Sequence, residues 1–268
     1  MSDLITTVEA CRLAGVGPTA IKRWADDGRL QCVRTAGGHR RFRRSELEAL
    51  VRGLSQPVAA PGEWDEWIAA LLDGEGRFLV EALLLKERAA RGSWAGVAER
   101  IGALLTEIGD RWVRGSMTVA EEHLISDRLR RAISRISESL PVPPEAPLCL
   151  MAAAEGDTHT GGISLTELVL REAGWRTAWA GAPLPVADLL VAMRQWRPRM
   201  VAVSASVASK PSVLLAVAAR LVEACRADGV ALVLGGRGRW PAMPAGSGHR
   251  FEDLASFAAF AVGVRAGR

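Results

Sequence analysis

The sequence predicts a multidomain protein of mixed α and α/β class, with a winged helix-turn-helix, a four-helix bundle and a doubly wound parallel sheet of Rossmann-like type. Three patterns support this prediction. Two short helical stretches and a hairpin fill residues 1–53, apolar residues at three- and four-residue spacing fill 63–140, and short apolar runs alternate with helical stretches over 148–268. Proline-containing linkers are predicted at 54–62 and 141–147.

The first segment has the start and stop residues of short helices. Thr7 is the predicted N-cap of the first helix, and Pro18 lies in the first turn of the second. The stretch LQCVRTAGGHRRF predicts two short strands joined by a turn at Gly37–Gly38. Ser45, with Glu48 three residues later, predicts a capping box that opens a further helix. Together these elements predict a winged helix-turn-helix.

The excess positive charge of the chain lies in this first segment. The whole chain has a formal net charge of +4, and residues 1–53 hold ten Lys and Arg against six Asp and Glu, so they account for all of it. This asymmetry predicts an anionic partner, and the winged shape favours double-stranded DNA over a merely solvated basic hairpin. The predicted DNA-binding residues are Thr19, Lys22, Arg23, His39, Arg40 and Arg41.

The second and third segments show different periodicities. Four amphipathic stretches between Trp64 and Ser139, separated by short breaks, predict an up-down four-helix bundle. In the third segment, LCLMAAA, RTAWAG, MVAVSAS and VALVLGG predict strands, with helices expected at 163–173, 185–195 and 211–227. No run approaches eighteen apolar residues, and the first residues lack the pattern of a signal peptide, so we predict a cytoplasmic protein with no membrane partner.

The loop EGDTHTGGISL, which follows the first predicted strand of the third segment, is the candidate ligand site. It contains His159, one of only four histidines, two residues after Asp157. Ser204 and Gly235–Gly236 end later predicted strands. Because ligands of open α/β sheets bind at the carboxyl ends of the strands, these residues should share one rim.

Several kinds of site are compatible with this loop. For a phosphate-binding loop, the sequence lacks GxGxxG and a Walker lysine. For a hydrolytic His–Asp pair it lacks a nucleophile, and for a zinc site it lacks further His or Cys ligands close by. A structural histidine stays possible. The remaining alternative is a single metal ligand, His159, whose second ring nitrogen is held by Asp157, with a cofactor supplying the other ligands.

Two motifs resemble known families. TAGGHRRF and the preceding helix pair resemble the DNA-binding domain of MerR-family regulators. DTHTGG resembles the DxHxxG motif of cobalamin-binding domains, and the SxL motif and later glycine pair of those domains have counterparts here. The resemblance implies that His159 is the lower cobalt ligand in place of the cofactor's benzimidazole. The implied cofactor-binding residues of this part are Asp157, His159, Gly162, Ser204, Gly235 and Gly236.

The bundle segment RWVRGSMTVAEEH matches the Wx9EH pattern of CarH/LitR-type photoreceptor regulators. The resemblance implies that Trp112 and Val119 wall an adenosyl group and that Glu122 and His123 form hydrogen bonds at its edge. The alternative for Trp112 is an ordinary core residue of the bundle.

Two positions depart from these families. Ser206 stands where the SxL motif has leucine, which weakens one wall of the implied cofactor-tail pocket. Val113 stands where light-sensing members can have a histidine that captures cobalt after photolysis. Because valine cannot ligate a metal, we expect water or His123 at the upper site of the illuminated protein.

The order of the three domains resembles that of the CarH/LitR-type regulators. The implied function is a light-responsive repressor, not an enzyme, that uses adenosylcobalamin. It would bind a DNA operator as a homo-oligomer, a tetramer in the dark, and release it when light cleaves the cobalt–carbon bond. Two alternatives stay open: a cobalamin-independent regulator controlled by a protein antirepressor, and a corrinoid carrier subunit of a methyltransferase.

Overall fold

The computed structural model describes residues 3–14, 18–26, 30–35, 37–54, 62, 64–73, 77–251 and 253–266. The chain divides into two compact units. The first comprises residues 1–76 and 104–127, and the second comprises residues 77–103 and 128–268.

The first unit begins with a three-stranded antiparallel sheet and three helices. The strands are β1 (Leu4–Thr6), β2 (Cys32–Arg34) and β3 (Arg40–Arg43), in the order β1-β3-β2. The helices are α1 (Thr7–Ala14), α2 (Pro18–Asp26) and α3 (Arg44–Leu54). The predicted helix pair, hairpin and third helix are confirmed, whereas β1 was not predicted.

The helix starts differ in detail from the prediction. The capping box of α1 uses Thr6, not Thr7: the Glu9 N–H donates to Thr6 Oγ1 at 3.2 Å, and the Thr6 N–H donates to Glu9 Oε2 at 2.8 Å. At the start of α3, the Ser45 hydroxyl donates to the Asp3 carboxylate at 2.9 Å. Asp3 therefore contacts the start of α3, where the sequence predicted a capping box of Ser45 and Glu48.

Four helices follow, as predicted for the bundle segment. They are α4 (Asp65–Leu72), α5 (Arg77–Arg91), α6 (Trp94–Arg114) and α7 (Val119–Ser139). Fully buried residues recur along α6 at the spacing of one helix face: Val97, Ile101, Leu104 and Ile108.

The second unit contains a four-stranded parallel sheet flanked by helices. The strands are β4 (Leu148–Ala153), β5 (Arg176–Trp179), β6 (Met200–Ser204) and β7 (Ala231–Gly235), in the order β5-β4-β6-β7. The helices are α8 (Gly161–Glu172), α9 (Val186–Trp196), α10 (Pro211–Asp228) and α11 (Leu254–Arg265). This confirms the doubly wound parallel sheet.

The strand order shows which strand ends can form the predicted ligand site. The chain passes from β4 outward to β5 and then crosses back to β6, so the direction of winding reverses between β4 and β6. Ala153 pairs with Ser204, and Ser204 pairs with Gly235, so these strand ends lie side by side. This is the crevice where ligands of open α/β sheets bind. In the part of the chain that is described, no helix is long and apolar enough to cross a membrane.

Candidate functional site

The loop between β4 and α8 is fixed at the edge of the sheet by backbone hydrogen bonds. The Ala154 N–H donates to the Ser204 carbonyl at 2.8 Å, and the Asp157 N–H donates to the Ala154 carbonyl at 2.9 Å. Gly156 lies between them with a φ of +77°, a conformation that favours glycine. The loop is therefore bound to the end of β6 before it reaches His159.

Asp157 orients the ring of His159. Asp157 Oδ1 lies 2.9 Å from His159 Nδ1 and also accepts the His159 backbone N–H at 2.9 Å. The Asp157 side chain is fully buried, whereas 63% of the His159 side chain is exposed. A carboxylate at Nδ1 favours the tautomer with the proton there, which leaves a lone pair on Nε2 for a metal.

Two further groups bind the other oxygen of this carboxylate. Asp157 Oδ2 accepts the Ser206 backbone N–H and the Ser209 hydroxyl, each at 2.5 Å. Burial opposes ionisation of Asp157, but the hydrogen bonds from the side chains of His159 and Ser209, together with those from the backbone, outweigh it and hold its pKa well below the usual range. Asp157 is therefore an anion that can attract the Nδ1 proton.

Ser206, the departure from the SxL motif, lies against the histidine ring. Its hydroxyl oxygen is 3.2 Å from His159 Nδ1 and accepts the Ala208 N–H at 3.1 Å. The sequence did not predict contacts for Ser206 or Ser209. The only indication was the serine-rich stretch SASVAS at the end of the third predicted strand.

We expect Ser206→Ala to change the environment of the His159 ring, because Nδ1 loses one of its two polar neighbours. With cobalamin bound and cobalt reduced to Co(II), the nitrogen coupling in the electron paramagnetic resonance spectrum should shift. Ser206→Thr, which keeps a hydroxyl, is the matched control and should preserve the wild-type spectrum. Identical spectra for Ser206→Ala and the wild-type protein would show that Ser206 does not act on the ring.

The predicted glycines and Ser204 converge next to this loop. Ser204 is 7% exposed, and a Cβ added to Gly162 would lie 2.8 Å from its hydroxyl oxygen. Gly236 has a φ of +79°, and a Cβ there would collide with the Ala205 carbonyl. Only glycine permits this close approach of α8 and the end of β7 to Ser204. Gly235 itself is paired with Ser204.

A pocket of about 360 Å³ adjoins the loop within the second unit. Thr160, which directly follows His159, forms part of its wall. Polar and apolar groups of α7, α8 and the end of β5 form the rest, among them Arg130, Glu138, Ile163, Glu167 and Trp179. Such a mixed lining suits a ligand that carries polar groups at its edge.

The predicted cap residues lie in the first unit. Trp112 is half-buried and packs against the core cluster of the winged helix-turn-helix. Val119, at the start of α7, is 44% exposed. Glu122 Oε2 lies 3.5 Å from His123 Nε2, and the His123 side chain is 75% exposed. Val119, Glu122 and His123 are thus accessible to a ligand, whereas Trp112 already has a packing partner.

The fit to cobalamin depends on the donor set at His159. Among the described residues, no three His, Cys, Asp or Glu side chains gather as a metal site. A metal on His159 therefore needs ligands from a cofactor, which the equatorial nitrogens of a corrin provide. The exposed imidazole, its buried carboxylate partner and the glycines around Ser204 fit such a group.

The predicted DNA-binding residues are on α2 and the wing. Lys22 is exposed on α2 and His39 is exposed before β3. The side chains of Thr19 and Arg23, also on α2, lie outside the described part of the structure. Arg40 donates to Asp26 Oδ1 at 2.7 Å and to the Lys22 carbonyl at 3.0 Å. It therefore holds the wing against the end of α2.

Arg40 and Arg41 are consecutive on a strand, so their side chains leave opposite faces. We expect Arg41→Ala to reduce the slope of log affinity against log salt by about 0.9, as the loss of one phosphate contact does. Arg40→Ala should weaken binding with a smaller change of slope, because it mainly releases α2. Titration of a random-sequence duplex between about 50 and 200 mM salt measures both. Equal slope changes in the two variants would contradict this division of roles.

Three parts of the chain match known protein families. Residues 4–55 match a family described as a helix-turn-helix domain, and residues 64–137 and 147–240 match two families described as B12 binding domains. The chain is 29% identical over 250 residues to the HTH-type transcriptional repressor CarA of Myxococcus xanthus, with 85% of this chain and 84% of that protein aligned. It is 31% identical over 166 residues to the HTH-type transcriptional repressor CarH of the same organism, with 62% of this chain and 55% of that protein aligned.

A solved structure has a similar fold over 74% of the chain. The monomethylamine corrinoid protein of Methanosarcina barkeri superimposes with a TM-score of 0.54 at 20% identity, covering 74% of this chain and 95% of that one. Fold and matches together define a class: a protein with a helix-turn-helix domain followed by B12-binding domains. The chain is similar to these repressors, which agrees with the resemblance of its motifs to the CarH/LitR type.

Proposed function

We propose that this protein is a light-responsive transcriptional repressor, with no catalytic activity, that depends on adenosylcobalamin. It binds a double-stranded DNA operator as an oligomer, a tetramer in the dark, and releases the operator when light cleaves the cobalt–carbon bond. The observation that supports this most is the exposed His159 ring held by the buried Asp157 carboxylate. The helix-turn-helix match and the names of the two repressor relatives support the DNA partner. In this proposal the domains are those predicted from the sequence: the winged helix-turn-helix at 1–53, the four-helix bundle at 63–140 and the Rossmann-like domain at 148–268.

The second unit holds the lower side of the cofactor. His159 Nε2 ligates cobalt, and the carboxylate of Asp157 keeps the Nδ1 proton and the ring orientation. The cofactor's tail passes Gly162, Gly235 and Gly236 beside Ser204. A Cβ at Gly235 would meet nothing within 4 Å, whereas at Gly162 and Gly236 it would meet Ser204 and Ala205. When bound, adenosylcobalamin would supply a corrin that absorbs visible light and a cobalt–carbon bond that such light can cleave.

The cap residues of the first unit respond to the upper ligand. Trp112 and Val119 pack against the adenosyl group, while Glu122 and His123 form hydrogen bonds with it. These contacts exist only while the adenosyl group is present, so the ligand stabilises one arrangement of the cap over another. That difference in contact free energy is what couples light to the oligomeric state.

Mixing the purified protein with adenosylcobalamin in the dark and recording its absorption spectrum tests this proposal. We expect the spectrum of base-off, histidine-ligated adenosylcobalamin, retained through gel filtration, followed by a change to the cobalamin photoproduct on illumination. A protein that retains no cobalamin would contradict the proposal and favour the cobalamin-independent regulator. Retention without any response of oligomeric state to light would contradict the light-responsive part.

The corrinoid carrier is the second candidate, and the fold likeness to the monomethylamine corrinoid protein favours it. The helix-turn-helix match at residues 4–55 argues against it, because a methyl carrier has no use for a DNA-binding domain. Methylation of the cobalamin-loaded protein by a corrinoid methyltransferase, measured as methylcobalamin formed, would support the carrier over the repressor.

A further inference from the structure

The core of the winged helix-turn-helix includes residues from the end of α6. Val113 is 8% exposed and belongs to the same buried cluster as Ile5, Phe42 and Trp24. Trp112 packs against this cluster and is half-buried. These contacts lie within the first compact unit, although Trp24 and Val113 are 89 residues apart in sequence.

A hydrogen bond fixes this contact. Trp24 lies on α2, the helix predicted to enter the major groove, and is fully buried. Its indole N–H donates to the backbone carbonyl of Val113. The last carbonyls of a helix have no partner within the helix, and a buried indole N–H needs an acceptor, so each group satisfies the other. Without α6, the indole would lose this acceptor.

The end of α6 is itself held in place. Arg111 donates to Asp65 Oδ1 and to Glu107 Oε1, each at 2.7 Å, and the Ser116 N–H donates to the Arg111 carbonyl at 3.0 Å. Trp112 and Val113 are adjacent at this end of α6, which the contacts of Arg111 hold in place. A displacement of Trp112 therefore displaces Val113 and removes its carbonyl from Trp24.

We propose that the end of α6 is a docking site for the DNA-binding domain, and that docking competes with the cofactor cap for Trp112. In the docked state, Trp112 and Val113 cover the inner side of α2. A Trp112 that packs against an upper cobalt ligand leaves the cluster, takes Val113 with it and releases the DNA-binding domain. The docking itself stands on the contacts described, whereas the competition rests on the proposed function.

Docking also accounts for the valine at position 113. A buried apolar cluster accepts valine readily, but a histidine there would bury a polar ring that needs hydrogen-bond partners. The valine at position 113 therefore explains both features: it cannot bind cobalt as a histidine would, and it packs in the docked cluster. Position 113 of this chain then acts through apolar packing and not through metal ligation.

Hydrogen exchange of the full-length, cofactor-free protein tests the docking. In Val113→Glu, a buried charge should expel α6 from the cluster, so amides of α2 and of residues 111–117 should exchange at least about fivefold faster, the lower end of typical couplings between sites. Leu85→Glu is the matched control, because Leu85 is 57% exposed on α5 and the same change there buries no charge. Unchanged protection of α2 in Val113→Glu would overturn the proposal.

A second variant covers the case in which Val113→Glu unfolds the helices, which faster exchange throughout α4 would reveal. Trp24→Phe keeps an aromatic ring in the core but removes the indole N–H. It should also speed exchange at residues 111–117, which belong to α6 and the following turn and not to the winged domain. Exchange at 111–117 as slow as in the wild-type protein would again overturn docking.

Adding adenosylcobalamin to the wild-type protein in the dark tests the competition. We expect exchange of α2 and of residues 111–117 to accelerate towards the values of Val113→Glu. The absorption spectrum of the same sample shows whether cobalamin is bound. Bound cobalamin with unchanged protection of α2 overturns the competition, whereas a sample that binds no cobalamin overturns the proposed function and leaves docking to be decided by the variants.

Discussion

In protein that contains isotope-labelled histidine, replacing the predicted lower ligand, His159→Ala, should remove the coupling of cobalt to a histidine nitrogen from the electron paramagnetic resonance spectrum of the bound Co(II) cofactor. The physical reason is that 63% of the His159 side chain is exposed and Asp157 lies at its Nδ1, which directs Nε2 to the metal, whereas the Asp157 side chain is fully buried. Cobalamin affinity, measured by equilibrium titration, should fall as well. His39→Ala, which changes an exposed histidine of the wing, is the control and should leave both measurements unchanged.

Asp157→Asn separates the ligand from the group that orients it. The amide has no charge to attract the Nδ1 proton, so the ring loses its fixed tautomer while His159 itself stays. Removal of such a partner costs about 10–100-fold in metal affinity in other proteins, and we expect a loss within that range here. A histidine nitrogen signal that persists in His159→Ala would place the ligand elsewhere and remove the basis of the assignment.

Most of the fold was predictable from the sequence because its elements have a strong local pattern. The parallel strands are short apolar runs between helical stretches, and the structure has helices α8, α9 and α10 within two residues of the predicted limits. The strand β1 was missed because three residues, Leu4–Thr6, are too few to show alternation. It becomes a strand only through its pairing with β3, which lies more than thirty residues away.

The candidate site was predictable to the extent that it is local. Asp157 and His159 are two residues apart, so their contact follows from the loop alone. Ser206 and Ser209 reach the same carboxylate across 49 and 52 residues, because strand β6 ends beside β4. The contact of Val113 with Trp24 joins residues 89 apart and involves a valine, whose apolar side chain shows no preference for one buried cluster over another.

Light should weaken binding to a multi-site DNA duplex by about 10²–10⁴-fold, the range that linked binding modules typically gain by avidity. Each winged domain has a modest positive charge, since residues 1–53 hold ten basic against six acidic residues. Tight binding therefore requires several copies to act together. The duplex is selected from a random library by the dark, cofactor-loaded protein, and its affinity is then measured before and after illumination.

A duplex shortened to a single site distinguishes avidity from a change in the winged domain itself. Each module binds this duplex on its own, so light should alter its affinity far less than that of the multi-site duplex. Sedimentation of the same samples should show a large particle in the dark and a smaller one after illumination, because in the proposed mechanism the loss of the adenosyl group would remove its contacts with Trp112 and Val119. If the oligomer dissociates and the multi-site affinity stays the same, avidity is not the source of tight binding. If light lowers the affinity for both duplexes equally, the switch acts on each winged domain separately. Docking of the winged domain at the end of α6, or its release from there, would have this effect.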